Sequence, residues 1–173
     1  MSVEVFFKRD KISFNGKLSL IKRNEDGSVN EKESIRDLNV RTGTARNWSK
    51  DYDWVRAKGG IPEGKFFIHV NPKLIQQRGQ FRPKGREIGH AYHISSTIRD
   101  ILTVRDPKTG RIRSAIMIHP DNDVPGSGGV AGSIGCIVFP ATPQGWSDFQ
   151  KLVTFFDDAF KNGIEHIPLT VFR

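Results

Sequence analysis

Only one stretch of this chain repeats its apolar residues at helical spacing, and that limits the fold more than any other feature. Trp146, Phe149, Leu152, Val153, Phe156 and Phe160 recur three and four residues apart, which gathers them on one face of a helix. Thr142 stands where such a helix needs an N-cap, and Gly163 where it needs a left-handed residue to end. Everywhere else the apolar runs are short and are cut by turn-forming residues. Asn15-Gly16, between residues 11–14 and 17–21, predicts a two-residue hairpin turn, and Asp26-Gly27 predicts another turn. Residues 65–70 read as a strand, 97–105 should pair with 111–119 across the Asp106–Gly110 turn, and 166–172 read as a last strand. Residues 43–64 have loop chemistry, with Trp48, Tyr52 and Trp54 embedded in it. The expected fold class is therefore mainly β. One domain over residues 1–173, β-sandwich or barrel-like, should carry a single amphipathic helix in its C-terminal half that covers one face of the sheet.

Charge narrows the partners less sharply. The 27 Lys and Arg outnumber the 19 Asp and Glu, and the resulting +8 is spread along the chain. Such a surface attracts polyanions such as nucleic acid, anionic lipid headgroups or acidic cell-wall polymers, and it also serves simply as a solvated exterior. No recognition helix or stacking platform supports nucleic acid, so none is expected as a partner. The densest basic segment runs from Gln76 to Gly89 and contains Arg78, Arg82, Lys84 and Arg86. Its default reading is a solvated loop. Its functional alternative is capture of substrate carboxylates, with Arg82 and Arg86 as the binding residues. Glu4, Lys8 and Arg9 interrupt the N-terminal apolar residues, so no secretory core is visible there, and no run approaches the ~18 apolar residues of a transmembrane helix. A soluble protein is expected, acting at the periplasm or cell wall if it is exported.

Residues 114–139 carry the chemistry. An apolar strand ends on His119, a polar glycine-rich loop follows, and the single cysteine, Cys136, sits on Gly-Ser133-Ile-Gly135 just ahead of Ile-Val-Phe139. A thiol is a weak nucleophile at neutral pH until an imidazole takes its proton or pairs with its thiolate. Small residues ahead of the cysteine let the backbone turn tightly and free amide N–H groups for an oxyanion, with Gly135 and Cys136 as the candidates. A free cysteine beside an apolar run is equally a buried structural residue, and on spacing alone both readings stand. One cysteine cannot form an intramolecular disulfide or a multi-cysteine zinc site. His90 and His93 stand three apart, so on a strand they face opposite sides, and no zinc spacing joins them to His69 or His119. Neither a metal nor another cofactor is expected. The Gly126–Ala131 match to a dinucleotide fingerprint follows no strand and opens no helix, so it is discounted.

Gly-Ser133-Ile-Gly135-Cys136-Ile, with His119 upstream, resembles the histidine, variable loop and Ser/Thr-His-Gly-Cys signature of the L,D-transpeptidase (YkuD-like) family. Gly60-Ile-Pro62-Glu-Gly64-Lys-Phe-Phe-Ile68 is similar to the Pro-x-Gly-x-aromatic segment that opens a strand in these domains, and His119-Pro-Asp-Asn122 to a run in small phage-associated relatives. The resemblance implies that Cys136 is the acylated nucleophile, His119 its base, and Ser133 and Gly135 the shapers of the loop and oxyanion hole. Family enzymes cleave or exchange a peptide bond after a diamino acid of a peptidoglycan stem, through a thioester and without a metal. Asn122 or Asp121 is placed to orient His119, and His93 is a further substrate-binding candidate. Ile134 replaces the usual histidine before Gly-Cys, and Val138 replaces a polar residue often found two after the cysteine. The alternative function is a non-catalytic wall-binding or phage structural module on the same scaffold.

Overall fold

The computed structural model describes residues 1–10, 13, 15–42, 60–71, 91–100, 102–106, 109–114, 116–120, 136–140 and 142–173. In chain order the strands are β1 (Ser2–Arg9), β2 (Asn15–Arg23), β3 (Ile35–Thr42), β4 (Gly64–His69), β5 (Tyr92–Ser95), β6 (Thr103–Arg105), β7 (Ile112–Ser114), β8 (Met117–Pro120), β9 (Ile137–Phe139) and β10 (His166–Phe172), with helix α1 (Pro143–Lys161) ahead of β10. Eight of these strands close a barrel in the order β1-β10-β4-β5-β8-β9-β3-β2, while β6 and β7 form a separate hairpin. The described residues are thus mainly β with one helix, in the C-terminal half, and the barrel form of the expectation is the one observed.

Alternation explains the strands. β1 turns Val3, Val5 and Phe7 inward and leaves Ser2 and Lys8 exposed, and β10 buries Ile167, Leu169 and Val171 between more exposed neighbours. The helix forms as its spacing predicts. Thr142 Oγ1 accepts from the Gly145 N–H at 3.0 Å, Pro143 occupies the first turn, and Gly163 has φ +83°. Past the helix end, Gly163 N–H donates to the Phe160 carbonyl and Ile164 N–H to the Ala159 carbonyl, the paired bonds of a Schellman ending. The buried face, Phe149, Leu152, Val153, Phe156 and Ala159, packs against inward-facing side chains of the sheet. Phe156 meets Tyr92 edge-on at 4.7 Å and Phe149 meets Phe139 at 5.5 Å. Each of these buried rings contributes roughly 1.5–3 kcal/mol. One side of β5 and β9 is therefore filled by the helix, and the opposite side is left for other work.

Three details depart from the sequence expectations. Asn15-Gly16 is not the hairpin turn: both lie inside β2, where Gly16 pairs with Arg9. A Cβ on Gly16 would come within 2.5 Å of the Phe7 ring and of the Lys8 carbonyl oxygen, so glycine is there for close packing. Among the described residues of the second hairpin, 103–105 pair with 112–114, and β8 then departs to join β5 and β9 in the barrel. The Asp106–Gly110 turn itself holds, with Gly110 N–H on the Asp106 carbonyl. Lastly, part of the positive charge is interior. Arg9, Arg113 and Lys22 are only 1%, 6% and 7% exposed, and Lys22 is held between Glu33 at 2.7 Å and Asp158 at 3.2 Å. No helix among the described residues is long and apolar enough to cross a membrane.

Candidate active site

Strands β8 and β9 run parallel, with Ile118 beside Ile137 and His119 beside Val138. Ile118 and Ile137 point into the core, so His119 and Val138 point to the other face. Cys136, two residues before Val138, shares that outward face, and Met117, two residues before His119 on β8, stands next to it. The Met117 N–H donates to Cys136 Sγ at 3.4 Å. An N–H aimed at sulfur favours the thiolate over the thiol. Cys136, Met117, Val138 and Ala91 form a small apolar cluster separate from the main core, and Cys136 and His119 are 6% and 5% exposed. The two residues expected to act together are thus brought onto one face of adjacent strands.

The imidazole of His119 has a partner in the backbone. His119 Nδ1 lies 2.8 Å from the Pro120 carbonyl oxygen. A carbonyl only accepts, so Nδ1 carries the proton and, in the neutral ring, Nε2 carries the lone pair. Side-chain motifs hold no signal for this contact, since a backbone oxygen makes it. Asn122, Asp121, Ser133, Gly135, Arg82, Arg86 and His90 all lie outside the described residues.

His93 does join the face. It pairs with Met117 across β5 and β8, so it flanks Met117 on the side away from Cys136. Its row continues outward, because Ile68 pairs with Ile94 and His69 with His166, bringing His93, His69 and His166 side by side on three strands. The His69 and His166 rings are 5.0 Å apart, and His69 Nε2 is 2.6 Å from Ser95 Oγ. Among the described residues no group of three or more His, Cys, Asp or Glu is arranged to hold a metal ion.

His69 is 1% exposed, and burial pushes its imidazole down to about 4, with the neighbouring His166 and His93 rings adding to the effect and Asp100 opposing it. An unfolded histidine titrates near ~6.5, so between those values the unfolded chain binds the extra proton more readily. The contribution is fully present above the unfolded value and is lost as pH falls through the folded one. The expected result is a stability loss of up to about 3 kcal/mol on acidification that His69→Gln lacks. Urea midpoints for both proteins at pH 7.5 and pH 4.5 measure it, and identical pH slopes would count against a neutral, buried His69.

The segment that leads into β4 is pinned next to this site. Ile61 N–H donates to Thr42 Oγ1 at 2.8 Å, Arg9 Nη1 donates to the Ile61 carbonyl at 2.7 Å, and Arg113 Nη1 donates to the Gly60 carbonyl at 2.5 Å. Thr42 pairs with Ile137, the residue after the cysteine. A Cβ on Gly60 would stand 2.6 Å from Thr42 Cγ2, which accounts for glycine there. Through Thr42, the Gly-Ile-Pro-x-Gly run is thus tied to the strand pair that follows Cys136.

No family model matches the chain, and no curated protein matches it. Among solved structures it is similar to Bd1075 of Bdellovibrio bacteriovorus, with a TM-score of 0.55 and 17% sequence identity over 98% of this chain and 47% of that one. The chain therefore spans about half the length of that protein, and at this identity the likeness shows a shared fold.

Proposed function

We propose that this protein is a cysteine-dependent acyl-transfer enzyme of the L,D-transpeptidase type, acting on peptidoglycan stem peptides. The observation that carries the reading is the placement of Cys136 and His119 on one outward face of two adjacent parallel strands, with His119 Nδ1 on the Pro120 carbonyl. In this reading His119 Nε2 takes the thiol proton and the Cys136 sulfur attacks the diamino acid's own carbonyl, in the peptide bond that follows it. The C–N bond then breaks, the departing amine receives the proton from His119, and a thioester remains. Water or a second amine, deprotonated by the same imidazole, then releases the acyl group. Gly135 and Cys136 N–H groups are the proposed oxyanion donors, with Ser133 shaping their loop.

Anionic cell-wall polymers fit the positive net charge as the surrounding partner. The near-complete burial of Cys136 favours a second reading, a non-catalytic wall-binding module. One experiment separates the two. Purified sacculi and isolated muropeptides are incubated with wild type and with Cys136→Ala, and the products are read by mass spectrometry. Shortened stems, separated dimers or exchanged D-amino acids that depend on Cys136 support the enzyme. Identical profiles from wild type and variant across several stem chemistries leave the binding module.

A further inference from the structure

The outward face that carries Cys136 and His119 also carries a cation. Arg41, on β3, pairs directly with Val138 across the antiparallel β3–β9 ladder, and Val138 is in turn beside His119 on β8. Directly opposed residues of a ladder point to the same face. Arg41, Val138 and His119 therefore form one row, and Cys136, two residues before Val138, is the diagonal neighbour of Arg41. Such neighbours are about 7–8 Å apart, within the reach of an arginine side chain.

Among the described residues Arg41 has no counter-charge. Among the described residues no salt bridge involves it, and its Nε is buried without a hydrogen-bond partner. Arg23 and Arg36, by contrast, are held by Glu4 and Glu31. A buried guanidinium N–H left unsatisfied is costly, and a bound anion would satisfy it. Guanidinium matches a carboxylate with two parallel hydrogen bonds.

We propose that Arg41 is an anion-binding residue of this site, which takes a free carboxylate of the peptide substrate and holds it one strand away from Cys136. The proposal rests on the cysteine reading above and adds to it a residue, Arg41, that selects for a carboxylate close to the scissile carbonyl. Neutral or amidated analogues are poorer substrates for such a site.

Alkylation of Cys136 tests this without knowledge of the substrate. Iodoacetate and iodoacetamide both alkylate the thiolate with loss of iodide, and they differ only in that the first carries a carboxylate. The ratio of their rate constants is measured for wild type, Arg41→Gln and Arg41→Lys, with thermal melts to verify folding. The expected result is a ratio that falls about tenfold in Arg41→Gln, the equivalent of roughly 1.4 kcal/mol of lost ion pairing, and the ratio cancels any change in thiolate fraction common to both reagents. Arg41→Lys should retain part of the preference, since it keeps the charge and loses the planar fork. Rapid iodoacetamide labelling in all three proteins with one common ratio would overturn the role of Arg41 and leave the nucleophile standing. Slow labelling by both reagents in every protein would overturn the nucleophile, and the anion site with it.

Discussion

His119→Ala is expected to lower turnover of a peptide substrate by 10²–10⁴-fold, the usual weight of a positioned general base, and to change how Cys136 labels with pH. If Cys136 is the proposed nucleophile, the imidazole and the Met117 N–H together favour its thiolate, so iodoacetamide labelling should already be substantial at pH 6–7. Without it, labelling should be about tenfold slower near neutrality and should climb steeply toward ~8.5, where an ordinary thiol ionises. The Pro120 carbonyl sharpens the expectation, because it holds the ring with Nε2 as the basic nitrogen and leaves the thiol as the group to be deprotonated. Labelling rates from pH 5 to pH 10, for wild type and variant, decide it. Equal, slow labelling with one shared pH profile would mean a structural cysteine packed between Met117 and Val138.

The largest effect on stability is expected at Arg9. Its side chain is 1% exposed and donates to the Ile61 carbonyl at 2.7 Å. Arg9→Ala removes that donor, leaves a buried carbonyl short of a partner and opens space in a filled interior, which together cost about 3 kcal/mol or more. For a chain of this size the melting temperature should fall by about 6–12 °C. Lys8→Ala, its exposed neighbour on the same strand, should move it by no more than about 2 °C. Calorimetry on the three proteins measures both shifts, and equal melting temperatures for Arg9→Ala and wild type would show that the clamp on residues 60–61 is dispensable. A loosened clamp also reaches the site, since Thr42 links Ile61 to the strand that follows Cys136.

Features governed by local chemistry were legible in the sequence. The helix, its Thr142 cap and its Gly163 ending depend on residues within a few positions of one another, and β4 and β10 depend on alternation within a single run. Cys136, His119 and His93 were also recognisable as residue types suited to one site, and the strand register sets all three on one face. What could not be read depends on neighbours far along the chain. Asn15-Gly16 carries a strong turn signal, yet Gly16 is constrained by the Phe7 ring across the ladder. Arg9 and Arg113 count as surface charge in any composition, and only the fold places backbone carbonyls against them. Arg41 sits in no motif; its relation to His119 arises from two successive strand pairings. The Pro120 oxygen is main chain, invisible to any pattern of side chains.

The order of the barrel bears on how the protein is made. Of the described strands of the barrel β10 is last in chain order, yet it lies between β1, its parallel neighbour, and β4, its antiparallel one. Until residues 166–172 are available, β1 and β4 each present a row of unpaired N–H and C=O groups, and the seam cannot close. Nearly the whole domain must therefore be synthesised before its oldest strand finds its second partner, and the search spans the longest sequence separation in the sheet. Such closure is slow, and the waiting edges are templates for pairing with other nascent chains. Yield during expression should accordingly depend on chaperone capacity and on synthesis rate more than on the stability of the finished barrel.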